Sequence, residues 1–234
     1  MAPKYLAFDI ETAKILPQDA GELLSHRPLG ITCTATLSQD SGKVDLFFST
    51  TANGSYAPQM TRDDLSRFVD FLLAQVEAGY TIVTLNGAGF DFDILAEESG
   101  RLMDCRKLAW GHVDMMFHVL CEKGFGVGLK AAAKVIGLDK PADVDGSVAP
   151  QLWKDGEQKR VLEYISQDCS ITLAVAMESE RQRAFRWLTK RGTTGTVSLP
   201  KGWLRVKEAA ALPLPDTSWM DSPWPRSKFT GWMQ

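Results

Sequence analysis

The chain has little of what marks a disulfide-stapled, zinc-held or membrane-spanning protein. Its 234 residues include only four cysteines (Cys33, Cys105, Cys121, Cys169), far apart and without a C-x-x-C pair. The three histidines (His26, His112, His118) complete no zinc pattern with them. Disulfide frameworks and structural zinc are therefore excluded, and a reduced, cytoplasmic protein is the expectation. No uncharged apolar run reaches the roughly 18 to 20 residues that a membrane helix needs. The N-terminal MAPKYLAFDIET enters a strand pattern after four residues, which speaks against a signal peptide and against a membrane partner. Internal repeats and low-complexity runs are missing too. The glycine-rich stretch at residues 124–128 (GFGVG) lacks the GK[ST] of a phosphate loop and reads as a flexible connection.

What is there suits one globular core with an appendage. The composition is 44% hydrophobic and 24% charged, enough to bury a substantial interior. The net charge of −3 is unevenly spread. Residues 188–234 hold seven Lys or Arg against three acids, so they carry +4 and leave −7 to the first 187 residues. That segment also has five of the eleven prolines and four of the seven tryptophans (Trp203, Trp219, Trp224, Trp232). Disordered tails are poor in aromatics, so this one is expected to pack on the body, with single-stranded nucleic acid as its other possible occupant. Arg205, Lys207, Arg226 and Lys228 are its candidates for phosphate contact.

The element pattern is that of an α/β protein. Residues 4–10 (KYLAFDI) read as a buried central strand, and residues 30–37 and 43–49 as a hairpin around the turn sequence SQDSG, which predicts a mixed sheet. Thr61 and the acids after it cap a helix whose apolar residues recur from Leu65 to Val76. A buried strand at 80–85, a tight loop at 86–89 and a short helix at 91–100 follow. Further helices are expected at 113–121, 129–136 and from 157 to about 188.

Three carboxylate features stand out. Asp9 and Glu11, two apart at the end of the first strand, leave one face of the sheet if the strand stays extended. Two acids so placed repel, and a divalent cation would relieve that, although a solvated strand end looks the same. Asp91 follows the loop N-G-A-G-F and begins a helix, where an acid is also a routine cap. Asp93 would point about 200 degrees away from it. Tyr164 and Asp168 share one helix face at i and i+4, among apolar residues that suggest burial and hence a partner. His112 and His118 share no helix face and read as surface or cap residues, and Asp114 as a helix cap or an accessory to the site.

In their order, F-D-I-E-T, N-G-A-G-F-D and Y-I-S-Q-D resemble the motifs of the DEDD superfamily of 3'-to-5' exonucleases, in its tyrosine (DEDDy) subgroup. The first two look most like the proofreading exonuclease domain of family B DNA polymerases. The stretch from His112-Val113-Asp114 through Val127-Gly128-Leu129-Lys130 to Gly137-Leu138-Asp139-Lys140 resembles the segment between the second and third motifs. The histidine subgroup has His where this chain has Glu163, and Tyr164 fits the other pattern. The resemblance covers about residues 4–187 and implies an RNase H-like mixed sheet flanked by helices. A Trp/Pro-containing extension at 188–234 and the lack of a polymerase domain depart from it, so a stand-alone enzyme is expected.

The same resemblance implies that Asp9, Glu11, Asp91 and Asp168 bind two divalent ions, Mg²⁺ or Mn²⁺, while Tyr164 orients the attacking water. Nucleoside 5'-monophosphates would leave the 3' end of single-stranded or frayed DNA. Phe90 and Phe92 are candidates for stacking a terminal base, or for the core. Asn86 would contact substrate or shape its loop, and Thr12, the last residue of the first motif, is a further substrate-binding candidate. The alternatives are an exoribonuclease of the same fold, as in the ribonuclease D branch, and a catalytically silent nucleic-acid-binding module. No protein partner is indicated.

Overall fold

The structure is a computed structural model that describes residues 3–17, 19–139 and 146–234. Lys140, expected to close the segment between the second and third motifs, lies outside them. The first strand, β1 (Lys4–Thr12), is the middle of a five-stranded sheet. On one side it pairs antiparallel with β2 (Ile31–Ser38), which turns back into the edge strand β3 (Val44–Phe48). Helix α1 (Arg62–Glu77) follows, with Thr61 Oγ1 accepting the Asp64 N–H at 3.1 Å as its cap. It leads to β4 (Tyr80–Thr84), parallel to β1 on the other side. Helices α2 (Asp91–Ser99) and α3 (Leu102–Gly111) precede the two-residue strand β5 (Val113–Asp114), parallel to β4. The sheet order β3-β2-β1-β4-β5 is mixed, with helices on both faces, as expected.

The remaining helices are α4 (Met115–Lys123), α5 (Leu129–Val135), α6 (Ala149–Lys154) and the long α7 (Gln158–Gln182). Two expectations are corrected here. The helix expected from residue 113 starts at Met115, because Val113 and Asp114 extend the sheet beside Val83 and Thr84. The long helix ends six residues early: Arg183 takes a left-handed conformation (φ 53°), and Ala184–Leu188 becomes strand β6, paired with β7 (Thr194–Ser198) in a separate hairpin. Short helices α8 (Val206–Ala209) and α9 (Ser227–Thr230) lie in the C-terminal segment.

Alternation along β1 divides the interior in two. Tyr5 and Ala7 join Cys33, Ala35 and the apolar face of α7 in one core, while Leu6, Phe8 and Ile10 join α1, α2 and α3 in the other. Asp9 and Glu11 continue the face that α7 covers. That helix runs against β1, since Tyr5 Oη donates to Glu180 Oε2 at 3.2 Å. The 12 to 16 residues from Glu180 back to Asp168 and Tyr164 span about 18 to 24 Å of helix, similar to the run from Tyr5 to Glu11. Strand and helix therefore bring the two acids at the end of β1 to the turn holding Tyr164 and Asp168.

The C-terminal segment covers both cores. Trp203 is buried, its indole N–H donating to the Ala176 carbonyl at 3.1 Å, and Trp232 donates to the Ala88 carbonyl at 2.7 Å. Phe229 packs on Phe117, whereas Trp219 and Trp224 stay exposed. Arg226 donates to the carbonyls of Cys121, Ala210, Leu212 and Pro213, which uses its guanidinium structurally and removes it from the phosphate candidates. The glycine-rich stretch, which connects α4 to α5, is also the seat of this segment. A Cβ on Gly124 would strike Thr217, and one on Gly126 would press on Met116 and Trp224.

Candidate active site

Each functional side chain is delivered by a different local device. β1 stays extended through Thr12, so Asp9 (opposite Ala35) and Glu11 (opposite Cys33) do leave one face of the sheet. A register shift between Glu11 and Thr12 then ends regular pairing. The second motif sits where the parallel strand β4 ends. Asn86 adopts a left-handed φ of 82°, and the Asp114 carboxylate holds the loop, accepting the N–H groups of Asn86 and Ala88, both at 2.9 Å. It also caps α4 by accepting the Phe117 N–H at 3.0 Å. Asp114 is thus both a cap and a support for the loop that presents Asp91.

Asp91, at the start of α2, is buried beneath the end of β1. The Ile10 N–H donates to both Asp9 Oδ1 (3.0 Å) and Asp91 Oδ1 (3.2 Å), and the two carboxyl groups are hydrogen-bonded to each other. Burial, first, and the nearby Asp114 charge push the Asp91 carboxyl up to about 7, against the lowering effect of its hydrogen bonds. Asp93 points elsewhere and pairs with Arg27, as its helical offset requires.

Tyr164 and Asp168 are both buried, with the phenol and the carboxylate hydrogen-bonded. Burial, followed by the charges of Asp168, Glu11 and Asp9, drives the phenol above its ordinary range, so it keeps its proton at neutral pH. Cys169 anchors this turn through its thiol, which meets the Ala35 carbonyl at 3.4 Å, and Ala35 is the residue opposite Asp9. Burial and the charges of Asp9, Asp168 and Asp91 hold that thiol well above its usual range. One buried sulfur thus senses three of the four candidate carboxylates.

These groups converge on a cleft of about 690 Å³, a size typical of small-molecule sites. Asp9, Glu11, Thr12, Phe90, Tyr164 and Asp168 line it, with Asp91 behind Asp9. Phe92 is corrected: it is fully buried between Phe8 and His112, ring centroids 5.1 and 4.7 Å away, and cannot stack a base. Asn86 shapes its loop and does not line the cleft. The histidines are corrected as well. His112 does follow α3 as its cap but is buried, between Thr84 Oγ1 (3.0 Å) and the Ala109 carbonyl (2.6 Å), and His118 is buried against Trp203. Lys14, also in the cleft wall, was not singled out; its signal is its place three residues beyond Glu11.

Among the described residues, no three Asp, Glu, His or Cys side chains converge closely enough to hold a metal ion. The donor chemistry does fit one. Asp9, Glu11 and Asp168 line the cleft with Asp91 behind Asp9, and carboxylates are the hard oxygen donors that divalent cations such as Mg²⁺ and Mn²⁺ take.

A model of the RNase_H superfamily matches residues 31–178, more than half of the chain; β1 with Asp9 and Glu11 precedes the matched stretch. No curated protein sequence matches. Among solved structures, the chain is similar to the family B DNA polymerase from the hyperthermophilic archaeon Pyrobaculum calidifontis, with 22% identity and a TM-score of 0.55 over 76% of this chain. The match covers 25% of the polymerase. That likeness concerns the fold, a mixed sheet with helices on both faces. By fold and by the matched stretch, this chain belongs to the RNase_H superfamily.

Proposed function

We propose that the chain is a metal-dependent 3'-to-5' exonuclease of the DEDDy type, acting on single-stranded or frayed DNA. The observation that carries this reading is the convergence of Asp9, Glu11, Tyr164 and Asp168 on one cleft, with Asp91 bonded behind Asp9. Nucleases are usual in the superfamily, and the motif forms F-D-I-E-T and N-x-x-x-F-D support DNA as substrate. Residues 1–187 form the catalytic domain in this reading, and 188–234 an extension packed on it.

Asp9, Glu11, Asp91 and Asp168 would hold two divalent ions, Mg²⁺ or Mn²⁺. When bound, such ions lower the pKa of water and neutralise charge developing on phosphate oxygens. The protein's own groups do the rest. Tyr164, a neutral phenol bonded to Asp168, orients the attacking water by hydrogen bonding and is no general base. Phe90 and Thr12, in the cleft wall, meet the terminal nucleotide. Asp114 keeps the Asn86–Ala88 backbone, and with it Asp91, in place. The product is a nucleoside 5'-monophosphate.

Matched DNA and RNA oligonucleotides of one sequence test the substrate. Faster metal-dependent release of 5'-monophosphates from the DNA is the expected result. Faster release from the RNA would assign an exoribonuclease, and cleavage of neither would leave a binding module.

A further inference from the structure

A second cavity of about 350 Å³ lies at the opposite end of the sheet, between the start of β4, the end of α1 and the end of α3. Asp9 lies five residues along β1 from Lys4, the partner of Tyr80, which is roughly 16 Å away along the strand. Three independent observations meet there. Its walls are largely apolar: Leu73 and Val76 from α1, Tyr80 and Ile82 from β4, and Leu108 and Trp110 from α3. Val76 is 43% exposed and leaves the apolar wall open to solvent.

The second observation is an open sheet edge. β5 joins β4 only at Val83 and Thr84, so among the described residues no strand pairs with residues 80–82 on the side away from β1. Main-chain groups at such an edge offer hydrogen bonds to an added strand. The third is charge. Lys107, Arg205 and Lys207 line the cavity against one acid, Glu77, in a chain of net charge −3. Among the described residues, none of the three cations is within ion-pairing distance of a carboxylate.

From these we infer that the groove binds a short acidic peptide segment of a partner protein. The segment runs extended along residues 80–82, inserts one aliphatic or aromatic side chain between Val76 and Leu108, and sets its carboxylates against Lys107, Arg205 and Lys207. A peptide fits better than a nucleic-acid strand, because an unpaired strand edge complements a main chain rather than stacked bases. The site would tether the enzyme without obstructing its cleft. It does not depend on the nuclease reading.

The test is selection of a displayed library of random ten-residue peptides on the immobilised full chain. Enriched peptides should carry several Asp or Glu around one bulky apolar residue and bind less tightly as salt rises. Lys107→Glu combined with Lys207→Glu should weaken them at least tenfold, and Val76→Asp, which only alters the exposed wall, should do the same, while both variants keep the parent's melting temperature within a few degrees. No enrichment, enrichment of neutral or basic peptides, or affinity indifferent to these substitutions would overturn the proposal. A ten-nucleotide oligothymidylate that binds with the same dependence on Lys107 and Lys207, and displaces the peptides, would assign the groove to nucleic acid instead.

Discussion

Asp91 concentrates the electrostatic conflict of the site. Its carboxyl is buried and pushed up to about 7, so the folded chain holds this proton more tightly than the unfolded chain, where an Asp titrates near 4. The sign follows from linkage: the contribution is fully present below about pH 4 and is lost as pH rises through about 7. In EDTA the protein should be more stable at pH 5 than at pH 8 because of this group. Asp91→Asn should remove that difference, on the order of 1 to 3 kcal/mol at ~1.4 kcal/mol per pKa unit. Urea unfolding at both pH values checks it, and an equal effect of the substitution at both would contradict it. Mn²⁺ at pH 8 should raise the melting temperature of the parent but not of Asp91→Asn.

Tyr164 gives a second prediction at this scale. Because its phenol is held neutral, Tyr164→Phe should slow cleavage roughly 10- to 100-fold, the worth of one hydrogen bond to a charged group. The alkaline limb of the pH-rate profile should stay where it was. A shift of that limb in the variant would make the phenol a proton carrier.

Among the elements, the loop between β4 and α2 depends on a residue from another element. Asp114 accepts three backbone N–H groups, so Asp114→Ala should lower the unfolding free energy by roughly 2 to 4 kcal/mol and slow cleavage as the support of Asp91 loosens. Urea denaturation and turnover, measured on one preparation, check both effects. Much at this scale was legible in the sequence. The apolar β1, the β2–β3 turn, and the Thr61 cap with its helical spacing each announce themselves locally. So does the i, i+4 pair on α7. Other features were not. α3 carries few apolar residues in M-D-C-R-K, and α7 stops at Arg183 without a glycine to mark it. The alternation of Phe185 and Trp187 with exposed Arg186 and Leu188 was the signal for β6, too short at five residues to stand out from a helix that ends without a glycine. That Phe92 faces the core and Phe90 the cleft depends on how α2 docks on the sheet, which neighbouring letters do not encode.

At the scale of the molecule, the C-terminal segment belongs to the folded body. Arg226 ties the end of the segment to its middle, through the carbonyls of Ala210, Leu212 and Pro213, and to α4 through that of Cys121, and Trp232 bonds to Ala88 in the loop that carries the second motif. Arg226→Ala should release the segment, exposing Phe229 and Trp232 to chymotrypsin at a concentration that leaves them intact in the parent. Mass spectrometry of the fragments would show this. An unchanged digestion pattern would mean that the segment is held by its aromatic contacts alone. Under the proposed function, the cleft of this body removes nucleotides from a 3' end. The most direct measurement follows a 5'-labelled DNA strand with an unpaired 3' end, incubated with the full chain and Mg²⁺ or Mn²⁺, beside EDTA and Asp168→Ala controls. A ladder that shortens one nucleotide at a time from the 3' end, and is absent from both controls, is the predicted result. No shortening with either metal, or a ladder that persists in Asp168→Ala, would contradict it.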